Sequence, residues 1–325
     1  MTAPSQPTLA EAGEFGLIAA LTADLPIEPA VLVGPGDDAA VVKVDGPVVT
    51  SVDLLVEGVH FRRDWCSGAD VGRKAVAVNV ADLEAMGARA TALVVGFCAP
   101  PDLPEAWALD LAAGLRAECA AAGVAWVGGD VTRGRDITIA VTVFGSLEGR
   151  APVRRRGAVA GQVLALRGRL GWAAAGHRVL GRGFRSPRAV VEAYRVPQVP
   201  SGEGAVAAAA GATAMIDISD GLVADLGHVA VASGVDLRVE TAAFEVPEPL
   251  RAVAAATGTS PYDLVLTGGE DHALAATFAD ADAVPDGWRV VGRVEACAPG
   301  SGPAVWVDDA RAEGAGGWDH FGGGR

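Results

Sequence analysis

The sequence predicts a mixed α/β (α+β) protein made of two domains of similar size. Three observations predict it. The chain has 325 residues, enough to bury two separate cores. Strand-like and helix-like segments interleave in both halves instead of segregating. Between the halves, residues 149–161 break the periodicity with Pro152, the run Arg154-Arg155-Arg156 and several glycines. The expected domains are residues 1–148 and 149–325.

Residues 14–25 read as a short amphipathic helix, with Phe15, Ile18 and Leu21 or Leu25 on one face. Residues 48–56 read as a strand ending near Asp53. Residues 70–86 read as a helix whose Val76, Val80 and Leu83 form an apolar stripe, with Asn79 and Asp82 side by side at its edge. A polar pair flanking a buried face predicts a helix with one edge on a site. Residues 92–98 predict a strand, 103–122 a second helix, and 124–127 a strand running into Gly128-Gly129-Asp130. Residues 137–147 alternate Ile137, Ile139, Val141 and Val143, the pattern of a half-buried strand. In the second half, 163–166 and 213–218 are strands, the latter handing over to a helix that holds Leu222, Leu226 and Val229. Residues 264–266 read as a strand feeding Gly268-Gly269-Glu270, and 288–294 as a late strand.

Carboxylates recur in short, glycine-punctuated clusters where apolar runs end: Gly36-Asp37-Asp38, Ser51-Val52-Asp53, Asn79-Val80-Ala81-Asp82, Gly128-Gly129-Asp130, Asp217-Ile218-Ser219-Asp220-Gly221 and Gly268-Gly269-Glu270-Asp271. Each cluster taken singly is also a good turn or helix cap, because Asp tolerates turn geometry and Gly supplies positive φ. Their number argues for convergence, and converging carboxylates need a cation between them. An all-oxygen, carboxylate-rich donor set points to Mg²⁺, which takes a few carboxylates, water and substrate phosphates. The chemistry expected is metal-dependent phosphoryl transfer.

Composition narrows the field. The formal net charge of −14 argues against nucleic acid or an anionic membrane as the main partner. The four cysteines have no C-x-x-C spacing, so neither a zinc site nor a disulfide framework is indicated. The N-terminus lacks the early basic residues of a signal peptide, and residues 205–216, the most apolar long stretch, are too short to span a bilayer; a cytoplasmic protein is expected. Only two lysines occur, Lys43 and Lys74, and neither follows a glycine, so a P-loop is absent. Metal ions and arginines must then neutralise any bound nucleotide. Of the five histidines, His177, His228, His272 and His320 have no ligand spacing and read as structural or surface residues.

Read in order, the clusters match a known family in wording as well as position. Gly34-Pro35-Gly36-Asp37-Asp38, Val52-Asp53 with His60, and Lys74 through Asp82 to Met86-Gly87-Ala88 come first. Gly128-Gly129-Asp130-Val131-Thr132-Arg133-Gly134, Asp217-Ile218-Ser219-Asp220-Gly221-Leu222 and Gly268-Gly269-Glu270-Asp271 follow. With Gly13-Glu14-Phe15-Gly16 at one end and Trp318-Asp319-His320-Phe321 at the other, the chain resembles the thiamine-monophosphate kinase family along nearly its whole length. That family lies within the ATP-binding superfamily that includes aminoimidazole ribonucleotide synthetase.

The resemblance implies the two-domain PurM-like fold, an N-terminal sheet domain forming the dimer barrel plus a C-terminal α/β domain, in a homodimer. It implies transfer of the γ-phosphate of ATP to thiamine monophosphate, directly and in line, with several Mg²⁺ ions. This is the last step of thiamine diphosphate biosynthesis. Carried over residue by residue, Asp38, Asp53, Asp82, Asp130 and Asp217 hold Mg²⁺ around the ATP phosphates, with Ser51 and Val52 contributing beside Asp53, and Asp220 takes a further Mg²⁺. Gly129, Asp130 and Ser219 contact ATP, as does an arginine of the run Arg154-Arg155-Arg156, either Arg154 or the better-aligned Arg155, while His60, Glu270 and Trp318 form the thiamine end. No residue is implied as a covalent nucleophile or general base. One position departs from the pattern: Val52 stands where the family commonly has Thr, which is harmless if the backbone carbonyl is the ligand. Two other readings stay open: a different ATP-dependent enzyme of the superfamily, and a non-catalytic Mg-ATP-binding regulator.

Overall fold

The structure, a computed structural model, describes residues 7–26, 28–36 and 39–312. The chain divides into two compact units, Met1–Val80 with Ala90–Gly149, and Ala81–Arg89 with Arg150–Arg325. The division at Gly149 falls where Pro152 and the arginine run interrupt the periodicity. Residues 81–89, the end of a long helix and the turn after it, count with the second unit, which no single cut in the sequence expresses.

The first unit holds α1 (Leu9–Ala12), α2 (Glu14–Thr22), β1 (Val31–Val33), β2 (Val41–Val42), β3 (Val48–Val56), α3 (Gly68–Ala85), β4 (Arg89–Ala99), α4 (Glu105–Ala122), β5 (Ala125–Arg133) and β6 (Thr138–Ser146). β1 and β2 form a small antiparallel pair, and the main sheet has the order β3-β6-β4-β5. Ile139, Val141 and Val143 of β6 are fully buried, as are Val76 and Leu83 of α3. The two long helices meet backbone to backbone: a Cβ on Gly72 of α3 would lie 2.2 Å from Leu111 O, and one on Gly114 of α4 would lie 2.1 Å from Ala69 O. Any larger residue at either position would force the helices apart.

The second unit continues with β7 (Val163–Arg167), α5 (Trp172–Gly181), α6 (Arg188–Arg195), α7 (Glu203–Ala209), β8 (Ala214–Ile218), α8 (Leu222–Ser233), β9 (Val235–Val239), α9 (Glu248–Thr257), α10 (Pro261–Thr267), β10 (Ala273–Phe278), β11 (Arg289–Ala296), β12 (Val305–Val307) and β13 (Ala310–Arg311). Its sheet runs β13-β12-β9-β11-β7-β10-β8. Met215, Leu274, Ala276 and Phe278 pack with Trp288 in its core, where the Phe278 and Trp288 rings meet edge to face at 5.7 Å. Trp288 Nε1 donates to Glu203, which also pairs with Arg167.

The structure corrects four expectations. Residues 264–266 are not a strand but part of α10, because Ser260 caps the helix by accepting the Tyr262 amide and Pro261 opens its first turn. Asp53 is not at a strand end: it sits in the middle of β3, opposite Val141. Gly128-Gly129-Asp130 is not a turn either, since β5 runs on through Asp130 to Arg133. In α2 the buried face is Leu17 and Leu21, whereas Phe15 is 81% exposed and the helix stops before Leu25.

Candidate active site

The residues singled out from the sequence divide between the units. Asp38 and Trp318 lie outside the described residues.

In the first unit, Asp53 is held by its backbone. Its N–H donates to Asn79 Oδ1 at 3.0 Å, and Asn79 Nδ2 donates to Ala75 O at 2.8 Å. Asn79 is almost wholly buried, so its amide anchors β3 to α3 instead of lining an open edge. Strand alternation puts Ser51 on the same face as Asp53 and turns the Val52 side chain to the other face, where it is 53% exposed. Valine at position 52 therefore removes no hydroxyl from the face Asp53 occupies. His60 sits in the turn after β3, where its Nδ1 accepts the Val56 amide at 3.1 Å. The neutral ring therefore carries its proton on Nε2. The buried Lys74 fixes that turn by donating to the His60 carbonyl. Gly129 and Asp130 line a cavity of about 1100 Å³, whose walls include Gly34, Gly36, Val94 and Phe144. A Cβ on Gly129 would lie 2.0 Å from Val95 O, so the strand can be this close only at glycine.

In the second unit, the end of β8 and the loop after α10 fold onto each other. The Glu270 N–H donates to Ser219 O at 2.7 Å and the His272 N–H to Ile218 O at 2.9 Å. Glu270 and His272 both adopt positive φ, at 71° and 52°, and Gly269 leaves no room for a Cβ against Ser219 O. Ser219, Asp220 and Glu270 are thereby gathered at one end of the sheet. Asp217, buried at that end, has its Oδ2 3.1 Å from His272 Nδ1. Arg155 is exposed on the segment beside β8.

Three anchors lie outside the residues singled out for the site. Asp225, on the first turns of α8, accepts both the Asp220 and Gly221 amides on one oxygen at 3.0 Å. Burial, abetted by the charges of Asp217 and Asp220 and opposed by those amides, pushes its carboxyl up to about 7. Glu84, two residues after Asp82 and 3% exposed, accepts the Gly202 and Gly204 amides and ties the end of α3 to the first turn of α7. His272, read as structural or surface, is buried against Asp217. Asp225→Ala leaves two amides without their acceptor, which costs about 2 kcal/mol of stability. Asp225→Asn keeps an acceptor and recovers most of that loss. Urea unfolding of the two variants checks this.

Asp271 is 5% exposed, and its Oδ1 accepts the Ala173 amide. Its Oδ2 meets no hydrogen-bond partner among the described residues. Burial pushes this carboxyl up to about 7, against the lowering effect of the Ala173 and Gly171 amides and the nearby Arg169 and His272. The folded chain thus keeps a proton up to about pH 7 that the unfolded chain releases near pH 4. Folding takes up that proton between the two values, so stability falls as pH rises through this window. Asp271→Asn removes this part of the slope, on the order of a few kcal/mol between pH 4 and 7. Urea unfolding of both proteins at pH 5 and pH 8 measures it, and parallel pH dependences would rule it out.

Among the described residues, no three His, Cys, Asp or Glu side chains come close enough to hold a metal ion by themselves. Mg²⁺ typically takes only one or two protein carboxylates and completes its shell with water and substrate phosphate.

Comparison with known proteins decides the family. The AIR synthase related protein N-terminal domain family matches residues 36–147. Over 323 residues, 98% of this chain and 95% of the relative, the sequence is 50% identical to the thiamine-monophosphate kinase of Mycobacterium tuberculosis (strain CDC 1551 / Oshkosh). The chain belongs to the thiamine-monophosphate kinase family. Its fold agrees with solved members. The thiamine-monophosphate kinase of Stenotrophomonas maltophilia K279a superposes with a TM-score of 0.77 at 30% identity, covering 91% of this chain and 95% of that one. AaThiL complexed with AMPPCP and TMP superposes with a TM-score of 0.78 at 27% identity, covering 98% of this chain and all of that one. This family member therefore has the PurM-like fold expected from its motifs. Among its described residues, no helix is long and apolar enough to cross a membrane.

Proposed function

We infer that the protein transfers the γ-phosphoryl group of ATP directly to the phosphate of thiamine monophosphate, giving thiamine diphosphate and ADP as the last step of thiamine diphosphate biosynthesis. Half-identity over nearly the whole length of a thiamine-monophosphate kinase carries this reading. The gathering of Ser219, Asp220 and Glu270 at one sheet end supports it. An oxygen of the acceptor phosphate attacks the γ-phosphorus while the bond to the β,γ-bridging oxygen breaks, and ADP leaves. A phosphate monoester is largely dianionic near neutral pH, so the attacking oxygen needs no general base.

The main obstacle is bringing two polyanions together. The donor set available for Mg²⁺ is all oxygen, as a hard cation requires: Asp38, Asp53, Asp82, Asp130, Asp217 and Asp220, with Ser51 and Val52 beside Asp53. Bound there, Mg²⁺ would supply the positive charge that offsets the repulsion between donor and acceptor. Gly129, Asp130, Arg155 and Ser219 would contact ATP. Glu270 suits the thiazolium cation electrostatically. His60 offers its Nε2 proton to the thiamine end, and Trp318 an aromatic face. Thiochrome fluorescence after separation, with ATP and thiamine monophosphate present, tests the reading. Product that requires Mg²⁺ supports it, whereas ATP binding without product would move the protein to another acceptor or to a regulatory role.

We also infer a homodimer formed through the open face of the first unit's sheet. Along β3, Val48, Val52 and Leu54 all point outward and are about half exposed, and opposite Val52 and Leu54 on β6 stand Thr142 and Ala140. An apolar sheet face of this kind is unusual on a monomer and fits a second copy of itself.

A further inference from the structure

We propose that the second unit carries an anion site of its own, apart from the arginine assigned to the ATP phosphates, which binds a small phosphate- or diphosphate-bearing ligand. The run Arg154-Arg155-Arg156 splits in the structure. Arg154 and Arg156, together with Arg150, line a cavity of about 560 Å³, and Arg155 does not. The backbone here is pinned beside β8 and bends at Arg155 and Arg156. Arg154 O accepts the Met215 amide, Val153 N–H donates to Met86 O, and the Gly157 and Ala158 amides both donate to Ser233 Oγ. A strap fixed at this many points presents its arginines without having to order itself first, which lowers the entropic cost of binding.

Charge sets Arg154 and Arg156 apart from their neighbours. The protein carries a net charge of −14, and four other arginines of this unit are ion-paired: Arg167 to Glu203, Arg188 to Glu192, Arg238 to Glu295, and Arg293 to Glu240 and Glu295. The side chains of Arg154 and Arg156 have no hydrogen bond or ion pair among the described residues. Among the described residues, no Asp or Glu lines the cavity.

The facing wall is apolar, made of Ala208 and Ala209 at the end of α7 with Ala212 beyond it. The carbonyls of Val206, Ala207 and Ala208 already accept the amides of Ala210, Ala212 and Gly211. They therefore leave little to repel an anion. Solvated surface arginines need neither a cavity nor an acid-free rim. Planar guanidinium forks around a concave site suit phosphate oxygens, and the alanine wall leaves room for an organic body.

Calorimetric titration with pyrophosphate in EDTA tests the site, because without metal the acid clusters repel the probe and the ATP site stays silent. The wild type is expected to bind one equivalent saturably. Arg154→Gln with Arg156→Gln should weaken binding by roughly tenfold or more, while Arg155→Gln leaves it within about twofold. The positions are exposed, so the double variant folds, and an unchanged thermal melt verifies that. Absent saturable binding, binding unaffected by the double variant, or an equal loss in Arg155→Gln would each overturn the proposal. Because no ATP, thiamine monophosphate or metal is present, none of these outcomes bears on the transfer reaction.

Discussion

Asp53→Asn is expected to lower thiamine diphosphate formation by roughly two to three orders of magnitude, the equivalent of several kcal/mol of lost charge stabilisation. The substitution is nearly isosteric. The bond that fixes this part of β3 runs from the backbone N–H of Asp53 to Asn79, so it survives in the variant. The negative charge is lost and one acceptor oxygen becomes an amide donor. Folding stability should therefore be nearly unaffected, while the Mg²⁺ concentration needed for half-maximal rate rises. Thermal melts and Mg²⁺ titrations of the initial rate separate the two. A variant that is as active as wild type at the same Mg²⁺ midpoint would remove Asp53 from the metal site. Asn79→Ala should give a milder version of the same defect, because the carboxylate remains but loses its anchor.

Placing lysine at both Val48 and Leu54 is expected to convert the proposed homodimer to a monomer. Both side chains lie on the open sheet face and are half exposed in the isolated chain. In a self-complementary interface each substitution appears twice, so four like charges would be buried without partners. The penalty raises the dimer dissociation constant by on the order of a thousandfold or more. Sedimentation velocity at micromolar protein reads this directly. A wild-type monomer, or a dimer that tolerates both lysines, would place the interface elsewhere or dispense with it.

What the sequence discloses, and what it withholds, follows from the range of the interactions involved. The alternation Ile137, Ile139, Val141, Val143 is local, and β6 buries its inward face as that pattern requires. The stripe Val76, Val80, Leu83 is equally local and equally buried. Three apolar residues at 264–266 are too few to define a period, and the cap at Ser260-Pro261 decides the matter in favour of a helix. The acid clusters announce themselves through their glycines. Their anchors do not, because the partners are distant in sequence. Asp217 meets His272 across 55 positions, and Glu84 meets the Gly202 amide across 118. A buried histidine and a surface one look alike in a string of letters. Asp225 was the exception within reach: an acid four residues after Gly221, on the inner face of a helix, is a signal for a carboxylate folded back onto its own N-terminus.

The most direct test of the central claim follows the phosphorus atom. With ATP labelled at the γ-phosphorus, thiamine monophosphate and Mg²⁺, the label should appear in the terminal phosphate of thiamine diphosphate, one for each ADP formed, and should vanish from that product when Mg²⁺ is withheld. Label released only as inorganic phosphate, or ATP left intact beside unchanged thiamine monophosphate, would contradict direct transfer between the two substrates.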